Sequence, residues 1–258
     1  MPRAEDGCMK LALLSDLHAN RGALLACLAH ARRSGATHFA ILGDLVGYGA
    51  EPGAVLDLVM EMEAGGALVV RGNHDAAACG AGATGGTGEQ LGVGWTRSQL
   101  RPAHLAFLAG LPLTASIADV LLVHADPHEP AGWQYLDRPA LVRRALGAAQ
   151  RQWGATKVFC GHVHQQQLYY RGADGHPMAF SPVPGVPVPL GAHRHWLAVV
   201  GSVGQPRDGD TRAMYALLDV AQARLSFHRI AYDHTAAAAA IRAAGLPESF
   251  ARRLELGR

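Results

Sequence analysis

Side chains that bind metal ions recur along the 258 residues in short motifs: Asp16 and His18 in SDLHAN, Asp44 in GDL, Asn73, His74 and Asp75 in GNHD, His124 closing LLVH, and His162 and His164 in GHVH. Residues separated by one position project from the same face of an extended backbone. The Asp16/His18 and His162/His164 pairs are therefore each expected to offer two ligands to one ion, with Gly161 permitting close backbone approach. Two carboxylates, an amide oxygen and several imidazoles suit borderline divalent transition metals rather than calcium or a thiolate-loving ion. Taken singly, each motif has an ordinary explanation. DxH can cap a strand, GD can make a turn, GNHD can turn and cap a helix, and HxH can be two surface histidines. Their joint occurrence in this order, each at a predicted strand end, favours a metal site.

The elements that must position these residues alternate as in βαβ units. Residues 11–17 (LALLSDL) read as a buried strand. Asn20 then suits the N-cap of a helix reaching Arg33, and Gly35 suits its left-handed end. Residues 38–42 (HFAIL) form a second strand, Pro52 opens a helix reaching Glu63, and residues 67–70 (ALVV) form a third strand. Residues 80–94 are glycine-rich and read as a mobile loop, with a helix from Trp95 ending before Pro112. Further strands are expected at 120–124, 158–160, 197–203, 214–220 and 225–231, forming a second sheet packed on the first. Residues 181–189 hold four prolines and read as an irregular connection. The Ala-rich, then Arg-rich stretch from Thr235 reads as a helical cap. In open α/β sheets, ligands bind at the carboxyl ends of the strands, where the motifs stand.

In this order the motifs resemble those of the calcineurin-like metallophosphoesterase superfamily. GDLVGYG and GSVGQPRDGD are most similar to its small bacterial and archaeal predicted phosphodiesterases. The resemblance implies an α/β fold, a four-layer α/β/β/α sandwich of two stacked mixed sheets, with the domain over residues 9–232 and a helical tail over 233–258 packed on it. It places Asp16, His18 and His164 on one ion, Asn73, His124 and His162 on the other, and Asp44 between them. Two divalent ions are implied, with manganese the first choice and iron, zinc, cobalt or nickel open, because imidazole and carboxylate accept all of them. The implied reaction is hydrolysis of a small phosphodiester or phosphomonoester by in-line attack of hydroxide held between the ions, with His74 as general acid.

Arg71 precedes GNHD as in protein phosphatases and bacterial diadenosine tetraphosphatases of the superfamily, which makes it a candidate phosphate ligand. It also supports an alternative, a dinucleoside polyphosphate hydrolase or serine/threonine protein phosphatase-like enzyme. Those phosphatases, however, continue GDxVDRG, whereas Gly47, Tyr48 and Gly49 follow Val46 here. The acid that orients the catalytic histidine in that group is absent, so the partner of His74 is left open. Arg207 and Asp208, in GQPRDGD, are candidates for substrate contact, as are His128, Trp133 and Tyr135 just beyond His124. A noncatalytic interaction module on the same fold is a third reading, disfavoured because every ligand position and His74 are filled.

Composition narrows the classes. The chain is 49% hydrophobic, 17% charged and 6% aromatic, with a formal net charge of +2. That surplus supports neither a polyanion grip nor a membrane-surface role, and no basic, aromatic track points to nucleic acid. No apolar run approaches a membrane span, and the first ten residues lack the features of a secretory signal, so a cytoplasmic protein is expected. Cys8, Cys27, Cys79 and Cys160 are scattered and read as reduced, mostly buried hydrophobes. Of the 14 histidines, His30, His38, His104, His176, His193, His195, His228 and His234 have no motif context.

Overall fold

The computed structural model describes residues 9–80, 87–172 and 175–258. Two six-stranded mixed sheets stack face to face. The first has the order β3(Leu68–Val70), β2(His38–Leu42), β1(Lys10–Leu14), β11(Ala213–Asp219), β12(Arg224–Ile230), β9(Val188–Pro189). The second has the order β4(Thr114–Ile117), β5(Val120–Val123), β6(Lys157–Cys160), β10(Trp196–Val200), β7(Gln166–Arg171), β8(Pro177–Phe180). Each sheet contains three adjacent parallel strands, β1 with β2 and β3, and β5 with β6 and β10.

Strands buried on both faces distribute their side chains by alternation. Leu11 and Leu13 face the inter-sheet core with Leu122, Phe159, Ala198 and Val200. Ala12 and Leu14 face outward onto α1(Arg21–Arg33) and α2(Pro52–Ala64). Leu121, Val123, Val158, Cys160, Leu197 and Val199 face α6(Pro139–Trp153) on the opposite side. The result is the expected four-layer α/β/β/α sandwich. Asn20 caps α1, its Oδ1 accepting from Ala23 N–H, while its Nδ2 donates to Gly204 O and Tyr232 Oη.

Several local expectations need correction. The first strand stops at Leu14, before the DxH motif. GNHD opens a short helix, α3(Asn73–Ala78). Part of the glycine-rich stretch is helical in α4(Thr87–Ser98), while residues 81–86 lie outside the described residues. The helix expected to run on to Pro112 breaks before α5(Pro102–Gly110), because proline disfavours helical geometry in the residue ahead of it. The proline-rich connection contributes β9, at a sheet edge where proline leaves no donor unpaired. Strands β4, β7 and β8 and helix α6 were not foreseen.

The tail forms α7(His234–Ala243) and α8(Glu248–Leu256). Ala238, Ile241, Leu246, Phe250 and Leu254 pack with Tyr48. Arg242 ties the two helices together through Glu248 at 2.7 Å and Glu255 at 2.6 Å. Among the described residues, no helix is long and apolar enough to cross a membrane.

Candidate metal centre

The loops leaving β1, β2, β3, β5 and β6 meet at the carboxyl ends of the parallel strands. Asp16, His18, Asp44, His162 and His164 all have φ between 46° and 67°. The extended geometry expected for DxH and HxH is therefore wrong, since both motifs turn in the left-handed region just past the strand ends. Such conformations cost on the order of 1–2 kcal/mol each for a non-glycine residue and are held by their neighbours. Asp16 N–H donates to Gly43 O and His18 N–H to Asp44 O, while Gly204 N–H donates to Asp16 O and Arg207 N–H to His164 O.

Close packing of these loops requires glycine at particular positions. A Cβ on Gly161 would lie 1.8 Å from Ser15 Oγ and 2.3 Å from Asp16 Oδ2, and one on Gly72 would lie 2.2 Å from Asp44 Oδ1.

The side chains gather into two sets. In the first, His164 Nε2 is 3.1 Å from both Asp16 Oδ1 and His18 Nε2, and His18 Nε2 is 3.8 Å from Asp16 Oδ1 and from Asp44 Oδ2. In the second, His124 Nε2 is 3.4 Å from Asp44 Oδ2 and 3.1 Å from both Asn73 Oδ1 and His162 Nδ1. Asp44 belongs to both. Asp16, His18, Asp44, His124, His162 and His164 are all buried.

The donor chemistry fits divalent ions. Each histidine directs its other ring N–H at a backbone carbonyl: His18 Nδ1 to Val46 O, His124 Nδ1 to Leu42 O, His162 Nε2 to Trp133 O and His164 Nδ1 to Gln205 O. Such outer hydrogen bonds select the tautomer and leave the inward nitrogen with a lone pair for a metal. In the neutral rings, the facing nitrogens of His18 and His164 are two acceptors at 3.1 Å with no proton between them, an arrangement that a cation relieves.

The protein's own field charges these groups unevenly, and at His124 a proton takes the place of a cation. Burial lowers the His18 imidazole well below its usual range, reinforced by His164, which keeps His18 neutral. Burial opposes charge on Asp16 and Asp44, but His164 and His124 respectively outweigh it and hold both carboxylates ionised. Burial also opposes charge on His124, yet Asp44 prevails and pushes that imidazole up to about 10. Burial brings His162 down to about 3, with His124 adding to the effect.

His74 lies beside the first set, its ring 5.1 Å from His18 and 4.5 Å from Tyr48, and its N–H donates to Asp44 Oδ1. Gly47, at φ 90°, leaves room for the imidazole, since a Cβ there would lie 2.6 Å from His74 Nδ1. Thus Tyr48 lies against His74 in the segment where the phosphatase-type motif carries its acid.

The other candidates separate. Arg71 Nη1 donates to Ala109 O in the last turn of α5, while its Nε is buried with no hydrogen-bond partner. Arg207 donates from Nε and Nη2 to Gln205 Oε1, and its guanidinium lies 5.5 Å from the Tyr48 ring centroid. Asp208 is engaged by Arg229. His128 N–H donates to Asp126 and its side chain is exposed. Tyr135 stacks on His162 at 4.0 Å, and Trp133 lies 5.9 Å from His124.

Some contributors were given no role from the sequence. Asp75 accepts from Leu45, Val46 and Gly72 N–H groups and so ties the GD loop to GNHD. Burial, then the charge of Asp44, raises its pKa to about 7. Ser202 Oγ donates to Asp16 O and accepts from Gln205 N–H. The only sequence signal for these was adjacency to a motif.

Known proteins are similar to this chain in sequence and fold. A metallophosphoesterase from Sphaerobacter thermophilus is 31% identical, with a TM-score of 0.84 and coverage of 98% of this chain and 100% of that one. An uncharacterized protein of Methanocaldococcus jannaschii is 30% identical across 96% of this chain and 98% of its own length. A hypothetical protein from Pyrococcus horikoshii OT3, 18% identical, shares the fold at a TM-score of 0.78 over 97% of this chain and 99% of its own. The sequence matches a superfamily domain over residues 9–223, a span that holds every strand end at which the ligands cluster, and the chain therefore belongs to the calcineurin-like phosphoesterase superfamily.

Proposed function

We propose that the protein is a dimetal phosphoesterase acting on a small phosphodiester or phosphomonoester. The observation that carries this reading is the pair of buried ligand sets sharing Asp44, in which every histidine has its outer nitrogen hydrogen-bonded to a carbonyl. Asp16, His18 and His164 would hold one ion, Asn73, His124 and His162 the other, with Asp44 common to both. Divalent ions bound there supply Lewis acidity to phosphoryl oxygens and acidify a water for attack on phosphorus.

The chain's own residues do the rest. The Asp44 carboxylate offers Oδ2 to both sets while its Oδ1 accepts from His74 N–H, so one residue positions the ligands and the proton donor together. As the bond from water oxygen to phosphorus forms and the ester bond breaks, the electron pair passes to the leaving oxygen. His74 donates the proton that oxygen needs, the general-acid role that a positioned imidazole can fill. The polyphosphate and protein-phosphatase alternative is placed second, because Gly47, Tyr48 and Gly49 stand where the phosphatase-type motif carries its acid. We assign the protein to the cytoplasm, with manganese as the working ion and a small phosphorylated molecule as its substrate.

The test is to strip the protein, reload it with manganese, and assay bis(p-nitrophenyl) phosphate and p-nitrophenyl phosphate. Metal-dependent turnover that Asp44→Asn abolishes, with loss of both ions by elemental analysis, supports the reading. A fully loaded protein with no turnover on a broad phosphoester panel would overturn it.

A further inference from the structure

Near Tyr48, the neighbour of His74, two buried hydrogen-bond donors have no acceptor. Gln205 is 1% exposed and its Nε2 has no hydrogen-bond partner. The amide orientation is set by Arg207, whose Nε and Nη2 both donate to Gln205 Oε1. Arg253, from α8, has a buried Nη1 that is likewise without a partner. The Arg207 and Arg253 guanidiniums lie 5.5 and 5.4 Å from the centroid of one ring, Tyr48. That same ring is 4.5 Å from His74 and 4.8 Å from His18.

Among the described residues, neither arginine is paired with a carboxylate, whereas Arg229 is matched by Asp208 and Arg242 by Glu248 and Glu255. Buried donors left without acceptors are costly and usually mark a missing partner. Two guanidiniums beside one ring, with an unpaired amide N–H on the residue that holds one of them, call for an acceptor-rich anion, for which the planar fork of arginine is suited. A narrow crevice lined by His18, Tyr48, Gln205, Ile241 and Leu254 lies between the first ligand set and the tail helices. The tail is fastened to the loop that carries Arg207, since Gly209 N–H donates to Gly257 O at 2.8 Å.

We propose that Arg207, Arg253 and Gln205 form an anion subsite that binds a second acidic group, carboxylate or phosphate, on the leaving group of the substrate. The proposal rests on the phosphoesterase reading above, because it is His74, the donor to the leaving oxygen, that lies against Tyr48. It assigns the C-terminal helix a direct part in substrate choice. The substrate class becomes phosphoesters or phosphoanhydrides whose leaving group is itself anionic.

The experiment compares three substrates on the manganese-loaded chain: phosphoglycolate, whose leaving group carries a carboxylate, inorganic pyrophosphate, whose leaving group is phosphate, and p-nitrophenyl phosphate, whose leaving group carries no second acid. The readout is the ratio of kcat/KM for each acidic substrate to that for p-nitrophenyl phosphate, which cancels a general loss of folded enzyme. In Arg253→Gln and in Arg207→Gln the ratio is expected to fall about tenfold or more, as loss of a charge-assisted hydrogen bond implies, with Arg253→Lys recovering part of it. The better retained of the two acidic substrates in wild type identifies the preferred group. Ratios unchanged within about twofold in both Gln variants would overturn the subsite. If the loaded wild type cleaves none of the three but cleaves bis(p-nitrophenyl) phosphate, the phosphoesterase reading stands, and calorimetric binding of phosphoglycolate then decides the subsite. Binding weakened about tenfold by Arg253→Gln supports it, and equal binding refutes it.

Discussion

The approach of the GHVH loop to the SDLH loop can be tested by adding one methyl group. Gly161 has a φ open to any residue, so Gly161→Ala tests space alone. The new Cβ would sit 1.8 Å from Ser15 Oγ and 2.3 Å from Asp16 Oδ2, whereas ordinary contact begins at 3.4 Å. Asp16 would have to retreat by about 1 Å, but it is fully buried and its two oxygens accept from His162 N–H at 3.2 and 2.9 Å. Overpacking of this kind costs about 1–3 kcal/mol, and loss of the charge-assisted bond to His162 adds roughly 1.5–3 kcal/mol. For a chain of this size, that lowers the melting temperature by on the order of 10 °C.

A ligand displaced by about 1 Å also costs on the order of a hundredfold in rate. The assays are thermal unfolding, metal content by elemental analysis, and turnover of bis(p-nitrophenyl) phosphate. Adding Ser15→Gly removes the 1.8 Å contact but not the one to Asp16. The double variant is therefore expected to regain part of the melting temperature while its metal content and turnover stay low. A Gly161→Ala protein that melts within about 2 °C of wild type, binds two ions and turns over normally would refute the packing argument.

Two further outcomes are expected. His74→Asn should keep both ions, because His74 is in neither ligand set, while kcat falls by roughly 10²–10⁴. The loss should be smaller for p-nitrophenyl esters, whose leaving group departs without a proton, than for alkyl esters, and equal losses would count against proton donation. His228 stacks on Tyr215 with its Nε2 buried, and burial, reinforced by His30, lowers its pKa from 6.5 to about 4. Between those values the unfolded chain binds a proton that the native ring refuses, so this group makes stability fall as pH drops from 6.5 to 4. His228→Gln should flatten that slope in denaturant titrations at several pH values, and an unchanged slope would contradict the assignment.

Much of this molecule was legible in one dimension because the information is local. Strand positions follow from apolar runs such as LALL and HFAIL, the cap at Asn20 from its own side chain, and the metal-binding residue types from motifs of two to four residues. What was misread was backbone conformation. Nothing in DxH or HxH announces a left-handed φ at each ligand, because hydrogen bonds from loops 26 to 188 residues away hold those angles. The strands missed, β4, β7, β8 and the two-residue β9, are short or polar, and pairing with neighbours holds them rather than propensity.

Taken alone, then, the sequence determined the alternation of strands and helices and the chemical nature of the donors, since side-chain type and hydrophobic period are properties of each residue and its near neighbours, while the four-layer class came through the family its motifs resemble. Only the tertiary structure decided which donors share Asp44, which nitrogen each imidazole turns inward, and that Arg253, about 180 residues after His74, lies against the same tyrosine ring. Those are distances between segments far apart in the chain. They are set by how two sheets and a terminal helix pack, which no local pattern records.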